Sequence, residues 1–300
     1  MSLRCFLFVP GDSERKLAKV ERSEADALIL DLEDSVAASR AGVAREMVRE
    51  YLKAHPDRSR RQLWVRISPL ETEKALIDLA AVLAGAPDGI VLPKSDSAAD
   101  AVALDHHLSA LEVREGLDRG RTRILAVATE TAHTLFTLHS YAGATTRLFG
   151  LTWGAEDLSA ALGAFTNKDP DGRYDDVYRL ARALCLAASR AAGVQPVGSV
   201  YPDFRDLKGL SAEARYDRQS GFTAKIAIHP EQVAVINQAF TPSAEEVAYA
   251  ERVVALFREH PDAGTLALDG KMLDKPHLTQ AEQILATAAR AVEKGQLSGA

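Results

Sequence analysis

The chain offers little sulfur chemistry: its 300 residues include two cysteines. Cys5 and Cys185 lie in apolar surroundings without metal-type spacing, which argues against a disulfide framework or a zinc ribbon and for a reducing cytoplasm. There is no Lys/Arg-rich block, and the net charge is −6, so a general nucleic-acid binder is excluded. No apolar run approaches the length of a membrane span. The N-terminus, with Arg4 ahead of a short strand-like run, does not read as a signal peptide. Repeats and low-complexity stretches are missing. So are a glycine-flanked serine and a Cys–His pair that would supply a nucleophile. His106, His107, His133 and His139 fall on helical stretches and read as helix-face residues rather than zinc ligands.

What is present is apolar material in short pieces. Hydrophobic residues make up 47% of the chain and charged residues 26%, ample for a large core. Length alone allows two small domains or one large barrel with an appendage. Eight apolar runs decide between them: Cys5–Val9, Ala27–Leu30, Leu63–Ile67, Gly89–Leu92, Ile124–Ala128, Leu148 onward, Pro196–Val200 and Lys225–Ile228. Helical patterns separate them, including stretches through Val43, Met47 and Leu52, from Glu73 to Leu83, from Val102 to Leu111 and from Tyr174 to Ala192. Asp12 or Ser13 is placed to cap the first helix. The alternation predicts an α/β fold, a (β/α)8 TIM barrel over residues 1–241. A doubly wound open sheet lacks its G-x-G-x-x-G turn after the first strand. From Pro242 the pattern changes. Residues 242–300 read as a C-terminal helical extension: a periodic helix from Glu245 to Glu259, a loop through Asp269 and Gly270 to Pro276, and a helix from about Thr279 to Glu293. The tail from Gly295 to Ala300 is expected to fray.

In such a barrel, chemistry sits where strands end and loops begin. That rule collects Asp31, Glu33, Asp34, Arg66, Lys94, Glu130, Asp157 and Asp203. Taken singly, an acid after a strand caps a helix as readily as it binds a ligand, and Asp34 and Glu156 fit that role best. Glu130 and Asp157 follow neighbouring strands, and together they suit a hard cation such as Mg2+, which takes oxygen ligands and keeps several waters. Arg66 has two readings: a group acting on substrate, or a buried arginine paired with Glu33 or Asp34.

The motifs resemble those of the citrate lyase beta-subunit-like family, which includes malyl-CoA and citramalyl-CoA lyases. The matching pieces are Phe8-Val9-Pro10-Gly11, Ile29 to Val36, Trp64-Val65-Arg66, Leu92-Pro93-Lys94, Glu130-Thr131-Ala132, Trp153 to Leu158, Gly221 to Lys225, Ile228 to Gln232 and Asp269 to His277. They occur in order and nearly end to end. The resemblance implies a (β/α)8 barrel, Mg2+ as cofactor, a CoA thioester and a small 2-oxo acid as reactants, and reversible carbon–carbon cleavage. Its two metal carboxylates fall on Glu130 and Asp157 and its substrate-binding arginine on Arg66. The acid–base aspartate of its C-terminal lid falls on Asp274, and relatives reach that lid over a neighbouring subunit, implying a homo-oligomer, a trimer or hexamer. Arg15 and Lys19 are the expected CoA phosphate contacts, with Glu33 and Asp34 as partners of metal-bound water. The chain departs from the family at Ser68, Ala224 and Gly198-Ser199-Val200, which bears on substrate choice. A malyl-CoA thioesterase using the same site, or a non-catalytic acyl-CoA or acyl-carrier-binding subunit, are the alternatives.

Overall fold

The computed structural model describes residues 3–297, with side chains through residue 289. Eight strands, β1 (Cys5–Pro10), β2 (Ala27–Asp31), β3 (Gln62–Arg66), β4 (Gly89–Leu92), β5 (Arg123–Val127), β6 (Leu148–Thr152), β7 (Gln195–Gly198) and β8 (Ala224–Ala227), form a closed barrel in sequence order. Every neighbouring pair is parallel, including β8 with β1. The helices are α1 (Glu14–Val20), α2 (Ala41–Ala54), α3 (Glu73–Val82), α4 (Ala98–Arg114), α5 (Thr134–Thr137), α6 (Ala155–Leu162), α7 (Asp176–Ala191), α8 (Leu207–Ser220), α9 (Pro230–Ala239), α10 (Ala244–Glu259) and α11 (Lys275–Leu297). The chain forms two compact units, one through Asn237 and one from Gln238 onward.

The strands read as near-continuous apolar runs because both faces are covered, as parallel sheets require. All five residues of β2 are buried. Alternate residues fill the barrel: Phe6 from β1, Ala27 and Ile29 from β2, Trp64 from β3, Leu125 and Val127 from β5. Trp64 needs space, and Gly89 on the next strand supplies it; a Cβ there would lie 2.2 Å from the indole. Strand side chains alternate with period two, so the inward series Ala27, Ile29 continues to Asp31, and Trp64 continues to Arg66. The last two are register partners at the carboxyl ends of β2 and β3. The barrel therefore passes from an apolar filling to a charged mouth within one step of the pleat.

The intervening residues point outward, and Lys225 shows the consequence. Fully buried, it makes 2.8 Å contacts with Asp217 and Glu213 of α8, while Arg182 of α7 also reaches Asp217. Removing one partner of a buried charge costs about 3–5 kcal/mol. Asp217→Ala is expected near the lower end of that range, since Glu213 remains, and urea unfolding measures it.

Three local expectations are corrected. Ser13 occupies the N-cap of α1 but makes no side-chain cap, and Asp12 instead accepts from Arg40. Val43 is exposed, because α2 buries Ala44, Val48 and Leu52 at four-residue spacing. The loop expected around Asp269 is a hairpin of β9 (Thr265–Leu268) and β10 (Lys271–Asp274). Asp269 and Gly270 form its turn with φ of 51° and 75°, the pairing a two-residue hairpin turn demands. Within this second unit Leu273 packs with Val253, Phe257 and Ala281. Helix α11 runs to Leu297, and residues 298–300 of the tail expected to fray lie outside the described residues.

Candidate active site

Asp31 and Arg66, side by side in register, form a two-pronged ion pair with both N–O distances 2.7 Å. Burial pushes the Asp31 carboxyl up, but the guanidinium outweighs it and holds the group below the usual carboxylate range. Asp31 also accepts the backbone N–H groups of Glu33 and Ser35, shaping the turn that follows β2. Arg66 lies 4.6 Å over the Phe8 ring, and its Nη1 is 3.1 Å from Glu33 Oε2. Its principal partner is thus Asp31, with Glu33 second and Asp34 more distant at 3.8 Å.

Lys94 gathers the remaining acids. Its backbone is left-handed, at φ 48°, an arrangement that costs a residue with a Cβ on the order of 1 kcal/mol. In this conformation its N–H donates to Glu130 Oε2 at 2.5 Å. Its ammonium donates to Glu33 Oε1 at 2.5 Å and to Asp34 Oδ2 at 3.3 Å, and lies 3.5 Å from Asp157 Oδ1. Burial works against that charge, yet Glu33 and its neighbours hold the ammonium well above the ordinary lysine range. Glu33 is raised by burial, offset in part by Arg66 and Lys94.

Glu130 lies in the turn after β5 and is buried. Burial first, then the charge of Asp157, push its carboxyl up to about 8. Gly154 makes room for it: a Cβ there would sit 2.9 Å from Glu130 Cγ. Asp157 was expected to close a strand; it lies instead in the first turn of α6, because β6 ends at Thr152 and Gly154 intervenes as the helix N-cap. Its side chain is about a third exposed, so one wall of the acid pair is dry and the other wet. Among the described residues no group of three or more His, Cys, Asp or Glu side chains is arranged to hold a metal.

A cavity of about 700 Å³ opens beside this cluster. Arg66 and Asp31 line it together with Arg15, Lys16 and Lys19 of α1, and His229 stands on its wall. Arg15 and Lys19 are exposed, and among the described residues neither pairs with an acid. Lys16 was not anticipated. Asp203 is exposed and accepts the Arg205 N–H. Asp274 ends β10 in the second unit, with His277 Nδ1 2.5 Å from its Oδ1.

An inward-facing arginine–aspartate pair, a buried carboxylate beside a second one and a basic cavity share one barrel mouth. A sequence profile described as HpcH/HpaI aldolase/citrate lyase matches residues 4–230. The chain belongs to that family. Within it, the chain is 35% identical over 287 residues to the (3S)-malyl-CoA thioesterase of Cereibacter sphaeroides, covering 95% of this chain and 94% of the relative. It is 32% identical over 309 residues to the mitochondrial citramalyl-CoA lyase of Mus musculus, covering 97% and 87%. The crystal structure of Mycobacterium tuberculosis CitE, in complex with magnesium, acetoacetate and coenzyme A, superposes with a TM-score of 0.79 at 36% identity, covering 96% of this chain and 98% of that one. Family membership agrees with the barrel. Among the described residues, no helix is long and apolar enough to cross a membrane.

Proposed function

We propose that the chain is a Mg2+-dependent lyase that reversibly cleaves a 3-hydroxyacyl-CoA thioester, such as malyl-CoA or citramalyl-CoA, into a 2-oxo acid and an acyl-CoA. The observation that carries this reading is the acid pair at the barrel mouth: Glu130 is buried and accepts the Lys94 N–H, and the Lys94 ammonium lies 3.5 Å from the Asp157 carboxylate. Such a pair calls for a cation. The donors fit Mg2+: all are oxygens, only two are ligands, and Glu33 Oε2 is a buried acceptor without a hydrogen bond among the described residues. Its 3.1 Å approach to Arg66 is a charge contact out of alignment, so a lone pair stays available to a water. Bound by Glu130 and Asp157, Mg2+ supplies a Lewis acid and a template for the 2-oxo acid.

The chain's own groups do the rest. Lys94 fixes the rotamers of Glu130 and Glu33 through its N–H and ammonium. Glu33 and Asp34 accept from ordered water. Arg66 spends Nε and one Nη2 proton on Asp31, and its Nη1 lies beside Glu33; as a residue lining the cavity it offers its remaining N–H capacity to substrate oxygen where negative charge builds. Arg15 and Lys19 meet the CoA phosphates. Asp274 takes the substrate's hydroxyl proton as the bond between the α-carbon and the hydroxyl-bearing carbon breaks; the oxygen's electrons form the carbonyl of the 2-oxo acid, and the electron pair of the broken bond passes to the thioester enolate. Asp274 then delivers a proton to that α-carbon and removes it in the reverse direction. The same proposal includes a homo-oligomer, in which Asp274 serves a neighbouring mouth, and a cytoplasmic setting. Thioester hydrolysis is the second reading, supported by the likeness to a malyl-CoA thioesterase. A non-catalytic binder is disfavoured by the retention of Glu130, Asp157, Arg66 and Asp274.

The proposal is tested in the condensing direction: acetyl-CoA with glyoxylate or pyruvate should give a hydroxyacyl-CoA only when Mg2+ is present. Absence of product with active, metal-loaded protein would count against it.

Protons and Mg2+ compete for Glu130. Because its folded pKa is raised, the metal-free site holds a proton between its ordinary value of 4.5 and about 8. Metal affinity should therefore rise roughly tenfold per pH unit up to that limit and then level off, with one proton released at the lower pH. For the same reason Glu130 makes the metal-free protein less stable as pH rises through that window, and Mg2+ should raise Tm more at pH 8 than at pH 6. Calorimetry in buffers of different ionisation enthalpy checks this; equal affinities would contradict it.

A further inference from the structure

The Asp269–His277 motif contributes Asp274 to the proposed chemistry but leaves His277 without a part. We infer that His277 is a positioning residue that shares one labile proton with Asp274 and so sets which protonation state Asp274 presents to the substrate. The inference rests on the acid–base reading of Asp274.

Asp274 ends β10, and α11 begins at Lys275, so Asp274 takes the N-cap place and His277 the third helical position. The imidazole reaches back: Nδ1 accepts the Asp274 N–H at 3.2 Å. This is the reach of a capping box, in which a Glu or Gln at that position accepts from the N-cap N–H. The same Nδ1 lies 2.5 Å from Asp274 Oδ1. A ring nitrogen is a donor or an acceptor, not both at once. If Nδ1 is unprotonated, an ionised Oδ1 would set two acceptors 2.5 Å apart, so the proton lies on Oδ1 and shares the single Nδ1 lone pair with the Asp274 N–H. If the proton lies on Nδ1, it is donated to an ionised Oδ1, and the backbone N–H turns to water.

The first arrangement gives Asp274 as an acid with the cap shared; the second gives it as a base with the cap released. One proton moves between two atoms, and both forms are those the reaction needs in its two directions. The groups are 36% and 43% exposed in their side chains, so the proton can reach substrate or solvent. Among the described residues neither side chain has another hydrogen-bond or ion-pair partner. Thr265, the register partner of Asp274 on β9, is uncharged, and the Arg252–Asp269 pair stands at the other end of the hairpin.

The capping geometry also supplies the control. His277→Gln keeps an acceptor able to reach the Asp274 N–H but cannot exchange a proton with Oδ1; His277→Ala removes both. The inference expects His277→Gln to retain Tm and KM while kcat falls about tenfold or more. Exchange of the acetyl-CoA methyl protons with D2O, followed by NMR, should slow in parallel. Full kcat and exchange in His277→Gln, with Asp274→Asn inactive, overturns the role of His277 alone. A loss in His277→Gln that tracks a fall in Tm equal to that of His277→Ala also overturns it, leaving a helix cap. Full activity in Asp274→Asn removes the acid–base reading on which the inference rests.

Discussion

Glu130→Gln leaves a folded protein whose turnover drops by roughly a thousandfold, the scale seen when a group that stabilises developing charge is removed. The amide has the shape of the carboxylate, and its oxygen can still accept the Lys94 N–H that now meets Glu130 Oε2. What is lost is the charge, and with it a ligand for the cation. Stability should move the other way. Burial and Asp157 both disfavour ionised Glu130, so the neutral variant relieves a penalty that builds in the metal-free protein above pH 4.5 and is fully present by about pH 8. A higher Tm without metal, no Tm response to Mg2+ and negligible kcat/KM form the expected signature, an instance of a site held at the expense of stability. Asp157→Ala should lose activity similarly with little change in Tm, because its side chain is partly solvated. Full activity in Asp157→Ala would remove it as a ligand.

The second large effect concerns Asp274. Its replacement by Ala should reduce kcat about 10²–10⁴-fold, the range for a positioned acid or base. Assembly makes a sharper claim. If each mouth is completed by a neighbour's Asp274, inactive Asp274→Ala and Glu130→Ala subunits complement each other. In randomly mixed oligomers about a quarter of the sites combine an intact mouth with an intact Asp274. Mixing, partial unfolding and reassembly should then restore activity toward that fraction. If subunits exchange, as mass spectrometry can show, and activity stays at the level of the parents, Asp274 acts within its own chain or not at all.

The barrel was legible because parallel strands covered on both faces must be apolar along their whole length, as Ala27-Leu28-Ile29-Leu30 is. The candidate acids were legible because strand ends are where a barrel presents chemistry. Pairing was not. That Arg66 meets Asp31 first, rather than Glu33 or Asp34, follows from the register of β2 against β3, which a single sequence does not state. Lys94 was visible as a residue and invisible as a hub, since its place depends on a left-handed backbone that lysine seldom adopts. The hairpin of β9 and β10 did carry a local signal. Asp269-Gly270 between Thr265-Leu266-Ala267-Leu268 and Lys271-Met272-Leu273-Asp274 is a strong turn sequence, set between two helices whose periodicity is the louder signal. Asp157 was displaced from strand end to helix because one glycine and the helix N-terminus lie between.

Carbon–carbon cleavage is the central claim, and product analysis tests it most directly. Purified protein is incubated with Mg2+ and (S)-malyl-CoA or citramalyl-CoA, and both halves of the products are quantified. A 2-oxo acid and an acyl-CoA in equal amounts, lost on chelation and in Glu130→Gln, is the predicted result. Free hydroxy acid with free CoA, or intact thioester in the presence of metal-loaded protein, would contradict it.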